Sequence, residues 1–451
     1  MSDIIAAIAT GRAPCAIGIL RLSGPGCAAL TGRVFTPKQP FADAPDRRLV
    51  LGLLHDRQGR VIDECLGVVC RAPHSYTGEE TVELQCHGSP AMLAAGLEAL
   101  LAAGARQAGP GEFTRRAFLN GKLDLTQAEA VVDLIDAETA DAAANAAGQL
   151  GGALKRAIEP VYDGLTDLCS HFHAVLDYPD EDIEDFGAAE LSGALDRAGA
   201  ALQELLATYE KGRHLRQGVR AVLLGKPNAG KSSLLNRLAG YDRVIVTDIA
   251  GTTRDTVEEP VRVGRVLLRL TDTAGIREAG DAIEALGVAR SEQAAREAEL
   301  ALFVCDASQP LTDEDRRAIE AAKCAPRSLA LCNKSDLPAA VSPDELPFDT
   351  VLTVSARTGA GLDALPALLE GWFLGENACD GSLLTNPRQF GALDRASRAI
   401  ERAKTGLSLG VTPDAVLTDV EEAMAALGEV TGRTVREDIT NRIFERFCVG
   451  K

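Results

Sequence analysis

The N-terminal part of the chain has the hydrophobic pattern of a small mixed domain. Up to about residue 120, short apolar runs separated by turn residues predict β-strands at residues 16–22, 49–55, 65–71 and 81–87. A helical pattern then covers residues 90–103. Short strands combined with a helix in one segment are typical of a compact α+β domain.

Helical periodicity dominates two later parts of the chain. Between residues 121 and 212, apolar residues recur every three or four positions, with a break at Tyr178-Pro179-Asp180. The same pattern returns near the C-terminus, at residues 388–408, 413–430 and 434–447. Because helical segments flank the middle region on both sides, we expect the middle region to be a domain inserted into a helical domain whose halves pack together.

A phosphate-binding loop is predicted at residues 225–232. Their sequence has the G-x-x-x-x-G-K-S spacing, with an apolar run, Val219–Leu224, before it and a helical pattern after it. Backbone N–H groups and a helix N-terminus bind phosphate in such a loop. We expect Lys231 to contact the β- and γ-phosphates and Ser232 to bind Mg²⁺. The predicted contact residues are Asn228, Ala229, Gly230, Lys231, Ser232 and Ser233.

The tetrapeptide Asn333-Lys334-Ser335-Asp336 predicts that the bound base is guanine. It follows an apolar run at residues 328–332, which is typical of a buried parallel strand. Guanine presents a ring N–H beside an exocyclic NH₂, and the Asp336 carboxylate can accept both hydrogen bonds. Adenine would leave that carboxylate unpaired, which can cost a factor of ~10⁴ in discrimination.

The remaining contacts to the base are assigned to side chains and backbone near this tetrapeptide. Asn333 should support the base and the loop, and Lys334 is a further nucleotide contact. A predicted strand at residues 350–354 is followed by a second segment, whose backbone N–H groups would lie near the guanine carbonyl oxygen. That segment consists of Ser355, Ala356 and Arg357.

Two elements that respond to the γ-phosphate are predicted on either side of a strand at residues 266–270. After the strand, Asp272 would hold Mg²⁺ through water, and Gly275 would donate its N–H to the γ-phosphate. Before the strand, Thr252 or Thr253 should reach Mg²⁺ when the γ-phosphate is present. Loss of that phosphate would release both elements. The D-x-x-G contact residues are Asp272, Thr273, Ala274 and Gly275.

Ile276 departs from the pattern of Ras-like GTPases. In those proteins a glutamine follows the D-x-x-G element and orients the attacking water. Because isoleucine cannot do so, another group must position the water, or hydrolysis is very slow. Charge on the transition state must also be neutralised. Spacing leaves the candidates open: Asn228, Arg254, Arg277, Glu278, Asp281 and Glu284.

Composition limits the possible partners. The chain has 451 residues, so about two to four domains are expected. Its formal net charge of −18 argues against a broad nucleic-acid-binding face, although it allows a local basic patch. No apolar run is long enough for a membrane span, and residues 1–10 lack the basic start of a signal peptide. We therefore expect a cytoplasmic protein that does not contact membranes.

The eleven cysteines are scattered and contain no C-x-x-C pair, so neither a zinc site nor a disulfide framework is expected. Reduced thiols in a cytoplasmic protein fit this pattern. Cys86-His87 and His171-x-His173 have no further ligands at metal-binding spacing.

Several strings outside the nucleotide motifs resemble one family. With residues 247–255 they make the chain similar, over essentially its whole length, to the MnmE (TrmE) family of tRNA-modification GTPases. Departures at residues 10–15, at Ser89 and at residues 435–439 affect local loops only. The strings lie at residues 4–10, 18–24, 75–80, 86–88, 110–125 and 447–451.

The resemblance implies a multidomain α/β and α+β fold. An N-terminal folate-binding and dimerising α+β domain would span residues 1–120. A discontinuous helical domain would comprise residues 121–215 and 376–451. The inserted P-loop GTPase domain, a parallel sheet with flanking helices, would span residues 216–375.

The family's reaction and partners follow from the same resemblance. Together with the FAD-dependent protein MnmG, such a protein adds an aminomethyl or carboxymethylaminomethyl group to C5 of the wobble uridine of tRNA. The one-carbon unit is expected from a tetrahydrofolate derivative. A homodimer is implied, as is a heterotetramer with MnmG, and the tRNA would be shared with that partner.

The resemblance also assigns the groups that replace the missing glutamine. In this family K⁺ and dimerisation of the G domains activate GTP hydrolysis. Glu284 matches the catalytic glutamate and acts with Asn228 and Lys231, while Mg²⁺ is assigned to Ser232 and Thr253. The K⁺ ligands matched by position are Asn228, Thr247, Ile249 and Thr252.

For folate, a glutamate suits the guanidine-like N–H pair of the pterin and basic residues suit its carboxylate tail. The matching positions are Arg21, Glu83, Lys122 and Lys451. Cys448 matches the family's C-terminal cysteine, and a thiol near a one-carbon donor suggests a nucleophilic role.

Two other functions are considered for comparison. A ribosome-assembly GTPase, acting as a binding switch, would carry a basic RNA-binding appendage, which the sequence lacks. A stand-alone folate enzyme regulated by GTP would need no partner protein.

Overall fold

The computed structural model of the chain describes residues 3–11, 13–37, 40–177, 188–241, 258–271, 284–375, 380–434, 443–445 and 447–450. These residues belong to two compact units. The first comprises Met1–Val132, Gln149–Leu195 and Arg398–Lys451, and the second comprises Asp133–Gly148 and Asp196–Ser397. The four-segment division expected from the sequence stays a prediction.

The first unit begins with a seven-stranded sheet in the order β3-β4-β5-β6-β2-β1-β7. All neighbours are antiparallel except β1 and β7. Helices α1 (Cys27–Thr31) and α2 (Pro90–Ala102) pack against it. The strands are β1 (Ile5–Ile8), β2 (Cys15–Ser23), β3 (Phe35–Pro37), β4 (Val50–His55), β5 (Val61–Cys70), β6 (Thr81–Gly88) and β7 (Arg106–Gln107).

Around β4, one face of this sheet is buried and the other is open. Along β4, Gly52 and Leu54 are buried, whereas Leu51 and Leu53 are exposed. Leu54 packs in a cluster with apolar residues of the other strands and of α2, such as Leu93. The α+β expectation is therefore confirmed, with one helix covering one sheet face.

Helices fill the next part of the chain, as the periodicity predicts. The break expected at Tyr178-Pro179-Asp180 lies outside the described residues. The helices are α3 (Glu112–Leu119), α4 (Leu125–Ile135), α5 (Ala140–Leu150), α6 (Ala153–Asp177), α7 (Ala188–Ala207) and α8 (Tyr209–Gln217).

The second unit contains a six-stranded sheet in the order β13-β12-β11-β8-β10-β9. Its strands are parallel except for the β9–β10 hairpin. The strands are β8 (Val219–Leu224), β9 (Glu258–Val263), β10 (Val266–Thr271), β11 (Leu300–Asp306), β12 (Arg327–Asn333) and β13 (Val351–Thr353), and the helices are α9 (Lys231–Tyr241), α10 (Glu284–Glu297), α11 (Asp313–Ala322) and α12 (Ala364–Phe373).

Both faces of the parallel sheet are buried, which explains the continuous apolar runs in its strands. Leu302 and Val304 of β11 pack in one cluster, and the alternate residues Phe303 and Cys305 pack in another. The strands predicted at residues 219–224, 266–270, 328–332 and 350–354 are confirmed as β8, β10, β12 and β13.

The C-terminal helices are α13 (Pro387–Ser408) and α14 (Pro413–Thr431). Helix α14 packs along α6: the Cys169 and Met424 sulfurs are 3.4 Å apart, and His173 Nε2 lies 3.3 Å from a carboxylate oxygen of Glu421. Most of the third predicted helix, at residues 434–447, lies outside the described residues. No described helix combines the length and apolar character that a membrane span requires.

Within the second unit, residues 133–148 are bound to the β9–β10 hairpin at one edge of the six-stranded sheet. Arg265, at the turn of the β9–β10 hairpin, pairs with Asp141. Arg269 on β10 forms a direct ion pair with Glu138. Both ion pairs join a helical segment to the hairpin that precedes Asp272 in the chain.

Replacing Gly212 of α8 by alanine should destabilise the second unit. A Cβ at this position would lie 2.2 Å from the Leu384 carbonyl oxygen, so the two segments would have to separate. We expect the free energy of unfolding to fall by about 1–3 kcal/mol, the usual cost of overpacking. Chemical denaturation of the full chain measures this change.

Gly391→Ala in α13 is the matched control, because nothing lies within 4 Å of its added Cβ. Alanine should there gain about 0.5–1 kcal/mol from its better helix propensity. Equal effects of the two substitutions would contradict the close approach of α8 to Leu384.

Candidate functional site

The predicted phosphate loop joins the carboxyl end of β8 to the N-terminus of α9. Gly225 has φ +143° at the start of the loop, and a Cβ there would lie 2.1 Å from the Val304 carbonyl oxygen of β11. Asn228 has φ +63°, a left-handed conformation that asparagine tolerates better than most residues. The loop backbone therefore depends on the glycine and asparagine of its motif.

Lys231, the first residue of α9, bends back over the loop. Its Nζ donates to the carbonyl oxygens of Gly225, at 2.7 Å, and Lys226, at 2.8 Å. Ser232 and Ser233 follow in the first helical turn and are exposed. A first turn has N–H groups without intrahelical acceptors, so this end of α9 suits a phosphate group.

Asn333 links the phosphate loop to the segment after β13. Its Nδ2 donates to the Ala229 carbonyl oxygen at 2.8 Å, and its Oδ1 accepts from the Ala356 N–H at 2.9 Å. The residue is buried, with 2% of its surface exposed. A Cβ at Gly230 would lie 2.1 Å from Asn333 Nδ2, so the loop approaches this amide closely.

Asp336 lies beside the other predicted base contacts. Ser355 Oγ donates to Asp336 Oδ1 at 2.6 Å, and Arg357 forms an ion pair with Oδ2 at 2.8 Å. The Ser355 hydrogen bond, helped by the charges of Arg357 and Lys334, holds the pKa of Asp336 below its usual value. An ionised carboxylate can accept two hydrogen bonds from a ligand.

Lys334 is placed by a separate ion pair, in which its Nζ lies 2.7 Å from Asp306 Oδ2 at the end of β11. The structure therefore brings together the predicted residues of the loop, of the Asn-Lys-Ser-Asp segment and of the Ser-Ala-Arg segment. They gather at the carboxyl ends of β8, β11, β12 and β13.

The structure does not describe the side chains of the other residues predicted to contact the nucleotide, Mg²⁺ or K⁺. Glu284 is the first residue of α10, and its side chain is outside the described part of the chain. The other positions also lie outside the described residues: Thr247, Ile249, Thr252, Thr253, Asp272, Thr273, Ala274 and Gly275.

Two of the four residues predicted to bind folate, Arg21 and Glu83, lie together in the first unit. Arg21 on β2 lies opposite Glu83 on β6, and Arg21 Nε donates to Glu83 Oε1 at 2.8 Å. Arg21 Nη1 also donates to the Gly450 carbonyl oxygen at 3.2 Å. The rings of Tyr76 and Phe113 lie 5.7 and 5.8 Å from the guanidinium carbon.

The other two folate predictions have different outcomes. Lys122 is exposed, and its stem lies beside Gly78. Lys451 lies outside the described residues. Cys448 is exposed, and its carbonyl oxygen accepts a hydrogen bond from the Gly111 N–H at 3.2 Å.

Two protein-family models match this chain. The model of the MnmE helical domain matches residues 125–448 of the chain. The chain belongs to the MnmE family. A second model, of the N-terminus of the GTP-binding protein TrmE, matches residues 4–122. The resemblance and the multidomain fold class expected from the sequence are thereby confirmed.

Full-length MnmE relatives agree with this assignment. A relative from Roseiflexus sp. (strain RS-1) is 45% identical and covers 100% of this chain and 99% of its own length. Relatives from Chloroflexus aurantiacus and Aquifex aeolicus are 43% and 41% identical, each with 100% of both chains covered. All three are described as tRNA modification GTPase MnmE.

A buried polar network in the N-terminal part of this MnmE-family chain was not predicted. Arg116, which is 9% exposed, donates to Glu79 Oε2 at 2.8 Å and to Asp3 Oδ1 at 2.7 Å. Ser23 Oγ also donates to Glu79, at 2.9 Å. The resemblance had singled out strings that carry Ser23, Glu79 and Arg116, but not Asp3, and their spacing gives no sign of the contacts.

A second missed group surrounds Cys86. Asp63 and Cys65, on the neighbouring strand, place their ligand atoms within 4.8 Å of the Cys86 thiol. Sequence spacing could not show partners on another strand. Both Asp63 oxygens accept hydrogen bonds from His87, from its backbone N–H at 2.8 Å and its Nδ1 at 2.7 Å. The Cys65 hydrogen bond and burial raise the pKa of the Cys86 thiol.

Asn333→Ala should destabilise the nucleotide site even without a ligand. The Ala229 carbonyl and the Ala356 N–H would each lose a buried hydrogen-bond partner. We expect the free energy of unfolding to fall by about 1–3 kcal/mol. Ser335→Ala, at an exposed position two residues away, should change it by less than about 0.5 kcal/mol. Chemical denaturation compares the variants, and equal stabilities would contradict a linking role for Asn333.

Proposed function

We propose that this MnmE-family chain binds and hydrolyses GTP and that its nucleotide cycle serves tRNA modification. The observation that carries the proposal is the Asn333 amide, which bonds to the phosphate loop on one side and to the Ser-Ala-Arg segment on the other. These two hydrogen bonds fix the distance between the phosphate-binding loop and the region of the Asp336 carboxylate, which is suited to guanine. Family membership supports the same activity.

For binding, Lys231 Nζ would remain oriented by its two carbonyl acceptors and direct its positive charge to the β- and γ-phosphates. Hydrogen bonds to a charged acceptor are stronger than hydrogen bonds to a neutral one. Ser232, exposed at the start of α9, is the proposed protein ligand of Mg²⁺, with Thr253. Asp336 would accept from the two adjacent N–H groups of guanine, and Ser355 would keep its carboxylate oriented.

For hydrolysis, we propose that Asn228 binds K⁺ with Thr247, Ile249 and Thr252. When bound, K⁺ supplies positive charge beside the transferring phosphoryl group. The exposed Asn228, held at φ +63°, has the loop conformation and the amide oxygen that such a ligand needs. Glu284, at the start of α10, is the proposed group that positions the attacking water.

For the modification reaction, we propose that the chain acts with the FAD-dependent protein MnmG on C5 of the tRNA wobble uridine. The product would be an aminomethyl or carboxymethylaminomethyl group. The formal net charge of −18 suits a division of labour in which the partner provides much of the tRNA contact.

The one-carbon unit is proposed to come from a tetrahydrofolate derivative bound near Arg21 and Glu83. A carboxylate suits the N–H pair of a pterin, and the adjacent rings of Tyr76 and Phe113 provide an apolar surface. Lys122 and Lys451 would bind the carboxylate tail. The Gly450 contact of Arg21 keeps the C-terminal residues, including Cys448, beside this group.

A homodimer through the N-terminal domain is supported by the open sheet face. Leu49, Leu51 and Leu53 expose 55%, 53% and 37% of their surfaces, and Val61 adds 55% from the neighbouring strand. Contiguous apolar patches of this kind mark association surfaces. We propose that this dimer, joined by MnmG in a heterotetramer, works in the cytoplasm, with the domains divided as the sequence predicts.

GTP turnover by the full chain should rise when K⁺ replaces Na⁺, and Asn228→Ala should remove the rise. We expect at least a tenfold difference, because K⁺ would do the electrostatic work of an arginine finger, which contributes about 10³–10⁵ in rate in related systems. Phosphate release measures turnover. Rb⁺, similar in size to K⁺, should substitute for it, while the variant's rate in Na⁺ is the control. Equal wild-type rates in the two salts would refute the K⁺ assignment.

Lys231→Ala should abolish modification of the wobble uridine. The substitution removes the ammonium group that would contact the phosphates, so coupling between the nucleotide cycle and the reaction is lost. Nucleoside analysis of tRNA from cells with only this variant measures the effect. Lys323→Ala, which removes an exposed lysine just after α11, is the matched control. An unaltered nucleoside profile in the Lys231 variant would contradict the proposed coupling.

A further inference from the structure

We propose that Lys226 and Asp315 are positioning residues of the phosphate loop. Together they fix the loop segment whose carbonyl oxygens orient Lys231. The inference rests on the proposed GTP binding and adds a pair of residues that none of the nucleotide motifs contains as a defined position.

The side chain of Lys226 leaves the loop and enters the protein. Its Nζ lies 2.9 Å from Asp315 Oδ2, the lysine side chain is 11% exposed, and the aspartate is fully buried. Exposed ion pairs contribute little because water screens them, but this pair has lost most of its water. Removing the lysine charge alone would leave a buried carboxylate without its counter-ion.

Asp315 is itself held in place by the first turn of α11. Its Oδ2 accepts hydrogen bonds from the Thr312 N–H at 2.9 Å and from Thr312 Oγ1 at 2.8 Å, in a capping box. Its Oδ1 is buried and has no hydrogen-bond partner among the described residues. The carboxylate is therefore a fixed anchor that cannot rotate to another partner without cost.

Lys226, whose side chain is anchored by Asp315, also contacts Lys231 through its backbone carbonyl. The Lys226 carbonyl oxygen accepts from Lys231 Nζ at 2.8 Å, and the Ala229 N–H lies 3.4 Å from the same oxygen. The next residue, Pro227, has no N–H with which to hold the loop. The anchored side chain of Lys226 thus fixes the position of the Lys226 carbonyl oxygen, which orients Lys231.

The loop is then held at two points by different elements. Asp315, after β11, holds Lys226 near the start of the loop, and Asn333, at the end of β12, holds Ala229 near its end. A loop fixed at both ends pays less conformational entropy when a phosphate binds. Lys226 itself brings no net charge to the phosphates, because Asp315 neutralises it.

The experiment compares Lys226→Met, Lys226→Arg and the double variant Lys226→Met with Asp315→Asn in the full chain, since the asparagine removes the charge and keeps an oxygen that can accept the Thr312 hydrogen bonds. The Kd and dissociation rate of fluorescently labelled GDP with Mg²⁺ are measured, together with the thermal midpoint without nucleotide. Lys323→Met, just after α11, is the control for a lysine outside the loop, and it should behave as the wild type.

Lys226→Met should weaken GDP binding about 10- to 100-fold, the loss expected when one charge-assisted hydrogen bond from Lys231 to the β-phosphate is no longer aligned. Lys226→Arg keeps the ion pair and should stay within about threefold of the wild type. The double variant removes the unpaired charge, so its thermal midpoint should recover while its GDP affinity stays low. This separation of stability from affinity is what a positioning role requires.

Wild-type affinity in Lys226→Met would overturn the proposal. So would a double variant that recovers affinity together with its thermal midpoint, because the pair would then act on stability alone. If Lys226→Met does not fold, the double variant alone decides between these outcomes. Absence of GDP binding by the wild type is a separate result, which would refute the proposed function itself.

Discussion

The nucleotide site depends on one buried amide. Asn333 donates from Nδ2 to the phosphate loop and accepts at Oδ1 from the segment that follows β13. Each bond joins segments more than twenty residues apart in sequence, so a single side chain sets the distance between the phosphate and base regions. Because the amide is buried, losing either bond leaves an unsatisfied polar group, and the geometry is therefore strongly held.

The parallel sheet makes this arrangement possible. Its strands end at one edge, so the loops after β8, β11, β12 and β13 meet there without long connections. Glycine is required where these loops touch: a Cβ at Gly225 or Gly230 would collide with Val304 or Asn333. The fold supplies proximity, and the small residues allow the backbone segments to approach one another.

Local motifs made the nucleotide site predictable, while contacts between distant residues did not. The G-x-x-x-x-G-K-S and Asn-Lys-Ser-Asp spacings identified Lys231 and Asp336 because their chemistry lies within a few residues. The predicted helices followed from periodicity, and β8, β10, β12 and β13 followed from apolar runs. Strands β9 and β11 were not predicted, and the two-residue β7 was too short to show a pattern. Arg116 and Asp315 were missed, since their partners are 113 and 89 residues away in sequence.

The ion pairs on the β9–β10 hairpin have a mechanical consequence. Strand β10 ends one residue before Asp272, and the same hairpin is bound to residues 133–148 through Arg265–Asp141 and Arg269–Glu138. The hairpin is attached to that segment at its turn, through Arg265, and along β10, through Arg269. A shift of β10 relative to residues 133–148 would have to stretch or break both ion pairs, so the two segments are coupled in their movements.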